Sequence, residues 1–195
     1  MSKLRIRTIE GRLGAHAPVL LDDQIFDRRA AVAAILRERG GDTEVLFIKR
    51  AQRPGDIWSG HMAFPGGHWE PSDQDLAQTA VRETREEIGL DLGRHGRLLG
   101  HLDHMRVNPI GASYEMLIVP YLFEALGELP EFSLSHEVAA VHWGSMHSMF
   151  DGRSSTSRDL RIASGTHNFP GFRVQQEIVW GLTYQMLQSL FRLLK

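Results

Sequence analysis

Between Pro65 and Leu90 the chain reads PGGHWEPSDQDLAQTAVRETREEIGL, a pair of glycines followed by one helix-length segment whose last turns carry Glu83, Glu86 and Glu87. Few folds accommodate that order. Glu83 and Glu87 are a like-charged i,i+4 pair, and carboxylates near a helix C-terminus oppose the macrodipole. The three side chains lie close together on the helix, so their oxygens can converge on a hard divalent cation that relieves both penalties. Pro65-Gly66-Gly67 follows a strand candidate, where glycines allow a tight turn and a close backbone approach to a ligand or metal. A run such as Arg82, Glu83, Arg85, Glu86 and Glu87 ordinarily means a solvated charged face. Its position after the glycine loop favours a metal site.

The acidic helix is predicted to begin near Ser72, whose hydroxyl can cap it with Asp75 at the capping-box position, and to stop at Gly89 as its C′ residue. Leu76, Ala77, Ala80, Val81 and Ile88 form its apolar side. A second helix is predicted over about 176–194, where Ile178, Leu182, Met186, Leu190 and Leu194 recur every fourth residue beside Val179, Leu187 and Phe191. On that stripe Trp180, Met186 and Phe191 read as core packing. EVLFIKR, after the Gly40-Gly41-Asp42 turn, is a strand, and AAVAAIL before it is a buried strand or a short helix. Further β-forming runs occupy 62–64, 98–102, 116–123 and 138–143. Residues 150–172 turn polar and are expected to form a mobile surface loop. Strands with helices available for both faces give the α/β class, an α/β/α sandwich around a mixed sheet. Residues 1–28 read as a peripheral N-terminal arm, and 29–195 as the domain proper.

Composition excludes more than it assigns. The 195 residues, 42% of them hydrophobic, suit one compact domain. A net charge of -2 gives no global attraction to nucleic acid, so none is expected as a partner. The absence of cysteine removes disulfides, a thiolate nucleophile and cysteine-ligated zinc. No apolar run reaches membrane-spanning length, and the opening MSKLRIRTIEGRLG lacks the core of a signal peptide. A soluble, cytoplasmic protein without membrane association is the expectation. No Walker-type loop, dinucleotide fingerprint or serine nucleophile elbow is present. The histidine pairs His101/His104 and His142/His147 join no third residue in a recognisable zinc spacing.

The stretch from Gly67 to Leu90 resembles the Nudix box, Gx5Ex7REUxEExGU with U apolar. Gly67 is followed by five residues, Asp73, eight residues and Arg82-Glu83-Thr84-Arg85-Glu86-Glu87-Ile88-Gly89-Leu90. Two departures stand out: Asp73 replaces the first glutamate with one extra residue after it, and Thr84 occupies an aliphatic position. The resemblance implies a Nudix-type fold and a pyrophosphohydrolase. It implies that Glu83, Glu86 and Glu87, with the Gly67 carbonyl, ligate Mg2+ or Mn2+, and that Arg82 pairs with an acid to hold loop and helix together. Such a metal polarises phosphorus and lowers the pKa of the attacking water. The catalytic base comes in this family from the box or from a later loop, and Glu137 is the candidate for the later position.

The insertion before Arg82, the lead-in FIKRAQRPGDIWSGHMAFPGG and the segment Ile178-Val179-Trp180-Gly181-Leu182-Thr183 together resemble the coenzyme A diphosphatase branch. That branch reads nearer to Leu-Arg-any-His-any-Gly where Asp56-Ile57-Trp58-Ser59-Gly60 stands here. The implied substrate is a small-molecule nucleoside diphosphate derivative, coenzyme A or its thioesters first. ADP-ribose and other nucleotide-sugar or dinucleotide diphosphates are the alternatives, and a non-catalytic nucleotide-sensing module is the rival from another class. Arg50 and Arg53 are candidates to hold phosphates, Trp58 to stack on adenine, and Gly66 and Gly67 to line the substrate site. The resemblance also allows the arm to pair across a homodimer.

Overall fold

Strand β1 (Arg28–Arg39) runs through the middle of the molecule, and its composition shows why. In this computed structural model, which describes residues 4–53, 59–108, 113–162 and 165–195, β1 is hydrogen-bonded on both sides. Parallel β7 (Met116–Ala125) lies along one edge, and on the other edge β4 (Gly66–His68) and β2 (Asp42–Arg50) pair with successive halves of it. Both of its faces are covered. Ala31, Ala33 and Ile35 enter one apolar cluster, and Ala30, Ala34 and Leu36 the other. A strand buried on two faces reads as a continuous apolar run, which is why AAVAAIL shows no alternation.

The eight-stranded mixed sheet follows the order β3 (Met62–Ala63), β2, β1, β7, β5 (Gly96–His101). In it β4 also pairs with β1, β6 (Met105–Val107) with β7 and β8 (Val138–Ser145) with β2. Helices α2 (Leu76–Ile88) and α3 (Leu92–His95) contribute to the cluster on one face. The other face is covered by α1 (Ile6–Gly14), α4 (Met146–Phe150), α5 (Gly181–Leu193) and a three-stranded antiparallel sheet. That small sheet consists of β9 (Ser155–Ile162), β10 (Gly165–Val174) and β11 (Glu177–Trp180). The layers are those of the expected α/β/α sandwich. Among the described residues no helix is long and apolar enough to cross a membrane.

Three local expectations are corrected. The stretch expected to be a loop within 150–172 contains β9 and the start of β10, which pair residue by residue from Ser155↔Phe172 to Ile162↔Gly165. Its polar sequence carries no apolar alternation to read, because both strands stand largely in solvent and the backbone ladder holds them. Residues 177–180 are strand rather than helix: Gln175, at φ 55, closes the turn that folds β11 back on β10. The four-residue periodicity therefore begins to mean helix only at Gly181. Helix α2 starts at Leu76, capped by Asp75 through its contact with the Gln78 N–H at 2.8 Å, and Ser72 sits in the preceding turn. Its end at Gly89, φ 72, is the expected left-handed stop. The first 28 residues also contribute to the core: Ile6, Ile9 and Leu13 of α1 are buried in the same cluster as α5.

Candidate active site

The glycine loop owes its shape to contacts that no side chain would permit. Gly66 has φ 153, and a Cβ there would lie 2.3 Å from the Ala31 carbonyl oxygen of β1. Its N–H donates to Glu87 Oε2 at 2.9 Å, so the loop is hydrogen-bonded to the acidic helix. A Cβ on Gly67 would lie 2.4 Å from Glu83 Oε1. The missing side chain is the space in which the Glu83 carboxylate sits.

Arg82 and Asp73 clamp the two ends of the unit. Arg82 Nε donates to Asp73 Oδ1 at 2.9 Å and Nη2 to Asp73 Oδ2 at 3.0 Å, and Nη2 also reaches the His68 carbonyl at 2.8 Å. A two-pronged guanidinium–carboxylate pair is a strong, directional contact. The Asp73 side chain is 5% exposed. The Arg82 fork, with the Glu70 N–H and the Thr79 hydroxyl behind it, lowers its carboxyl to about 2 against the opposing effect of burial. The shorter acid and the extra residue after it thus offset one another: Asp73 reaches Arg82 from a turn closed by its own N–H on the Glu70 carbonyl at 2.9 Å.

The remaining acids differ in environment. Arg82 Nη1 lies 3.1 Å from both Glu83 Oε1 and Glu86 Oε2, so a single cation already joins these carboxylates. Glu86 is 57% exposed, whereas Glu87 is buried. Burial pushes the Glu87 carboxyl up to about 8; the Gly66 N–H opposes the shift, Glu83 adds to it, and smaller effects of opposite sign come from Arg50 and Glu137. Glu83 is raised too, again chiefly by burial. Among the described residues no three acids or histidines stand ready-made around a metal position. The donors nevertheless suit a hard divalent cation: carboxylate oxygens, one of them in a glycine cradle, and a buried carboxyl whose ionisation a nearby cation would favour.

Glu137 approaches from a separate loop that is tied to the end of α2. The Ser133 N–H donates to the Ile88 carbonyl at 3.1 Å and the Ser135 N–H to the Glu87 carbonyl at 2.9 Å. A Cβ on Gly89 would come within 3.0 Å of Ser133 Cβ, so the helix stop also makes room for this loop. Arg53 Nη1 donates to Glu137 Oε1 at 3.0 Å, and the Ala51 N–H donates to the Glu137 carbonyl at 2.7 Å. Arg53, expected to hold phosphate, is thus engaged with the candidate base. Trp58, expected to stack on adenine, lies outside the described residues.

The glycines, the three glutamates, Arg50 and Glu137 border one cavity of about 700 Å³. Gly66, Gly67, Glu83, Glu86, Glu87, Arg50 and Glu137 line one part of it; Met62, Phe64, Met116, Ile118, Trp180, Leu182 and Met186 line the rest. Sequence reasoning missed the second group. Met62 and Phe64 sit in the quoted lead-in to the glycines, and Trp180 in the quoted late segment, but nothing in their spacing says that they face the same space as the glutamates.

A glycine loop and an acidic helix beside a cavity, on a mixed sheet between helices, are the arrangement that the sequence resemblance implies for a hydrolase of phosphoanhydrides. Residues 27–161 match the NUDIX domain model. Over 177 residues the chain is 30% identical to the mitochondrial coenzyme A diphosphatase NUDT8 of Mus musculus, covering 85% of this chain and 79% of that protein. It is 38% identical over 101 residues to an uncharacterized protein of Schizosaccharomyces pombe, a match spanning 51% of this chain and 31% of that one. A solved C. elegans Ap4A hydrolase complex superposes with a TM-score of 0.52 at 23% identity, over 64% of this chain and 84% of that one, a likeness of fold. The chain belongs to the Nudix hydrolase family.

Proposed function

We propose that this protein hydrolyses the diphosphate linkage of coenzyme A or a closely related nucleoside diphosphate derivative. One observation carries the reading: a single cavity joins the carboxylate cluster to a large apolar and aromatic wall, room for a diphosphate together with a bulky uncharged arm. The similarity to a coenzyme A diphosphatase over most of the chain supports that choice. Glu83, Glu86 and Glu87, with the Gly67 carbonyl, would hold Mg2+ or Mn2+, which supplies charge neutralisation at the diphosphate and a more acidic water.

The protein's own groups do the remaining work. Arg82, fixed by Asp73, keeps the glutamate-bearing turns of α2 against the glycine loop. Arg50, on the cavity wall, holds a phosphate oxygen through its guanidinium. Glu137, delivered to the cavity by a loop hydrogen-bonded to α2, accepts the proton of the attacking water as it adds to phosphorus. Incubation with coenzyme A and Mg2+ or Mn2+, with products identified by mass, tests the reading. Hydrolysis between the two linkage phosphates leaves one on each product, so phosphopantetheine and 3′-phosphoadenosine 5′-monophosphate are expected in equal amounts. Intact coenzyme A alongside cleavage of another diphosphate would overturn the substrate, and no cleavage across coenzyme A, ADP-ribose, NADH and diadenosine polyphosphates would overturn the enzymatic reading.

A further inference from the structure

Trp180, Leu182, Thr183 and Met186, at the β11–α5 junction beyond the residues that match the family domain, line the same cavity as the glutamates. We propose that Trp180 selects the organic end of the substrate: an uncharged, flat or partly apolar group that packs on the indole ring. The proposal rests on reading this cavity as the diphosphate-ester site.

Three observations converge on the indole. Its ring is held before any ligand arrives. The Arg158 guanidinium of β9 lies 5.1 Å from its centroid, the Phe169 ring of β10 packs at 5.5 Å, and the His61 ring, itself on the cavity wall, meets it at 4.6 Å and 62°. A preorganised aromatic loses little freedom on binding. Second, Trp180 Nε1 is shielded from solvent and has no hydrogen-bond partner among the described residues, so what the indole offers a ligand is its ring, not its N–H. Third, the lining carries little positive charge. Among the described lining residues Arg50 is the one arginine, there is no lysine, and Met62, Phe64, Leu182 and Met186 line the cavity with Trp180. An anionic group belongs beside Arg50 and the glutamates, and a neutral, partly apolar group belongs beside Trp180.

Two parts of a coenzyme A molecule have that chemistry, the nucleobase and the amide-bearing arm, and kinetics separate them. With Trp180→Leu, KM for coenzyme A should rise about tenfold or more, since an aromatic platform is worth about that much per stacked group, while kcat stays within about threefold. An equal rise for ADP-ribose and NADH assigns Trp180 to the adenine, and a rise for coenzyme A alone assigns it to the amide arm. Trp180→Phe, which keeps a smaller ring, should fall between. Arg158→Gln, which uncovers the ring without touching the cavity, should give a smaller KM increase. Should Trp180→Leu fail to fold, these two variants carry the test. Calorimetry with coenzyme A and with ADP-ribose in EDTA separates this proposal from the enzymatic reading, because it needs no turnover: weaker binding of either to the variants supports it. Unchanged KM and unchanged binding for both ligands, a fall in kcat alone, or no binding of either ligand to the unaltered protein would overturn it.

Discussion

The two walls of the cavity are made in opposite ways. The carboxylate wall is polar and over-connected: Arg82 alone reaches Asp73, Glu83, Glu86 and the His68 carbonyl, and Gly66 is hydrogen-bonded to Glu87. The Trp180 wall is held by ring contacts, and among the described residues its indole N–H has no partner. Hydrogen bonds fix position to fractions of an ångström, which phosphoryl chemistry needs, whereas apolar packing tolerates ligands of varied shape. The contrast predicts that substitutions on the first wall change turnover and those on the second change affinity.

The sharpest break should come from Glu86→Gln. Its side chain is more than half exposed and contributes little to packing, so turnover should drop on the order of 10³-fold while the melting temperature moves by no more than a few degrees. Near-normal kcat in this variant would remove the carboxylate wall from catalysis. Gly89→Ala comes next. It places a side chain at φ 72 and against Ser133, at a strain of about 1–2 kcal/mol. Because Ser133 anchors the loop bearing Glu137, kcat should fall more than tenfold with divalent-ion binding by calorimetry little changed; parallel losses of both would show that the helix end, not the loop, had been disturbed.

The smallest effect concerns stability and pH. The Asp73 carboxyl is lowered in the folded state from 3.8 to about 2, so its contribution is present above about pH 4 and is lost as pH falls through about 2. The shift corresponds to about 2 kcal/mol. Asp73→Asn should therefore unfold more easily than the unaltered chain by roughly that amount at neutral pH, and the two denaturation midpoints should converge between about pH 4 and 2. A gap that persists at pH 2 would mean that Asp73 acts through shape rather than charge. Loss of the clamp should also show on the first wall as lower kcat, with KM less affected.

Much of the first wall could be read in advance because its parts are neighbours along the chain. Gly66, Gly67, Arg82, Glu83, Glu86, Glu87 and Gly89 fall within one strand–loop–helix unit, where helical geometry dictates which side chains meet. Arg82 was expected to pair with an acid, and folding shows that the acid is Asp73. Arg53 was less legible: a basic residue near glycines suggests phosphate, but the strand order sets it beside Glu137, 84 positions away. Trp180 was hidden by periodicity. The i+4 series through Ile178 and Leu182 suggested one helix, although Gln175 turns the chain so that 177–180 pair with β10. Local hydrophobic spacing cannot distinguish a short edge strand from the first turn of a helix.

The sequence by itself determined the candidate carboxylate site and the class of fold. Its glycine loop and acidic helix are contiguous, and their chemistry follows from spacing of 3.6 residues per turn. Only the tertiary structure decided what shares the cavity with that centre. β1, β7, α5 and the small sheet come from distant segments, and nothing short of the packed layers brings Arg158, Phe169 and His61 around Trp180 in the cavity that the glutamates also line. Long-range pairing, not local pattern, places the groups that line the rest of the cavity.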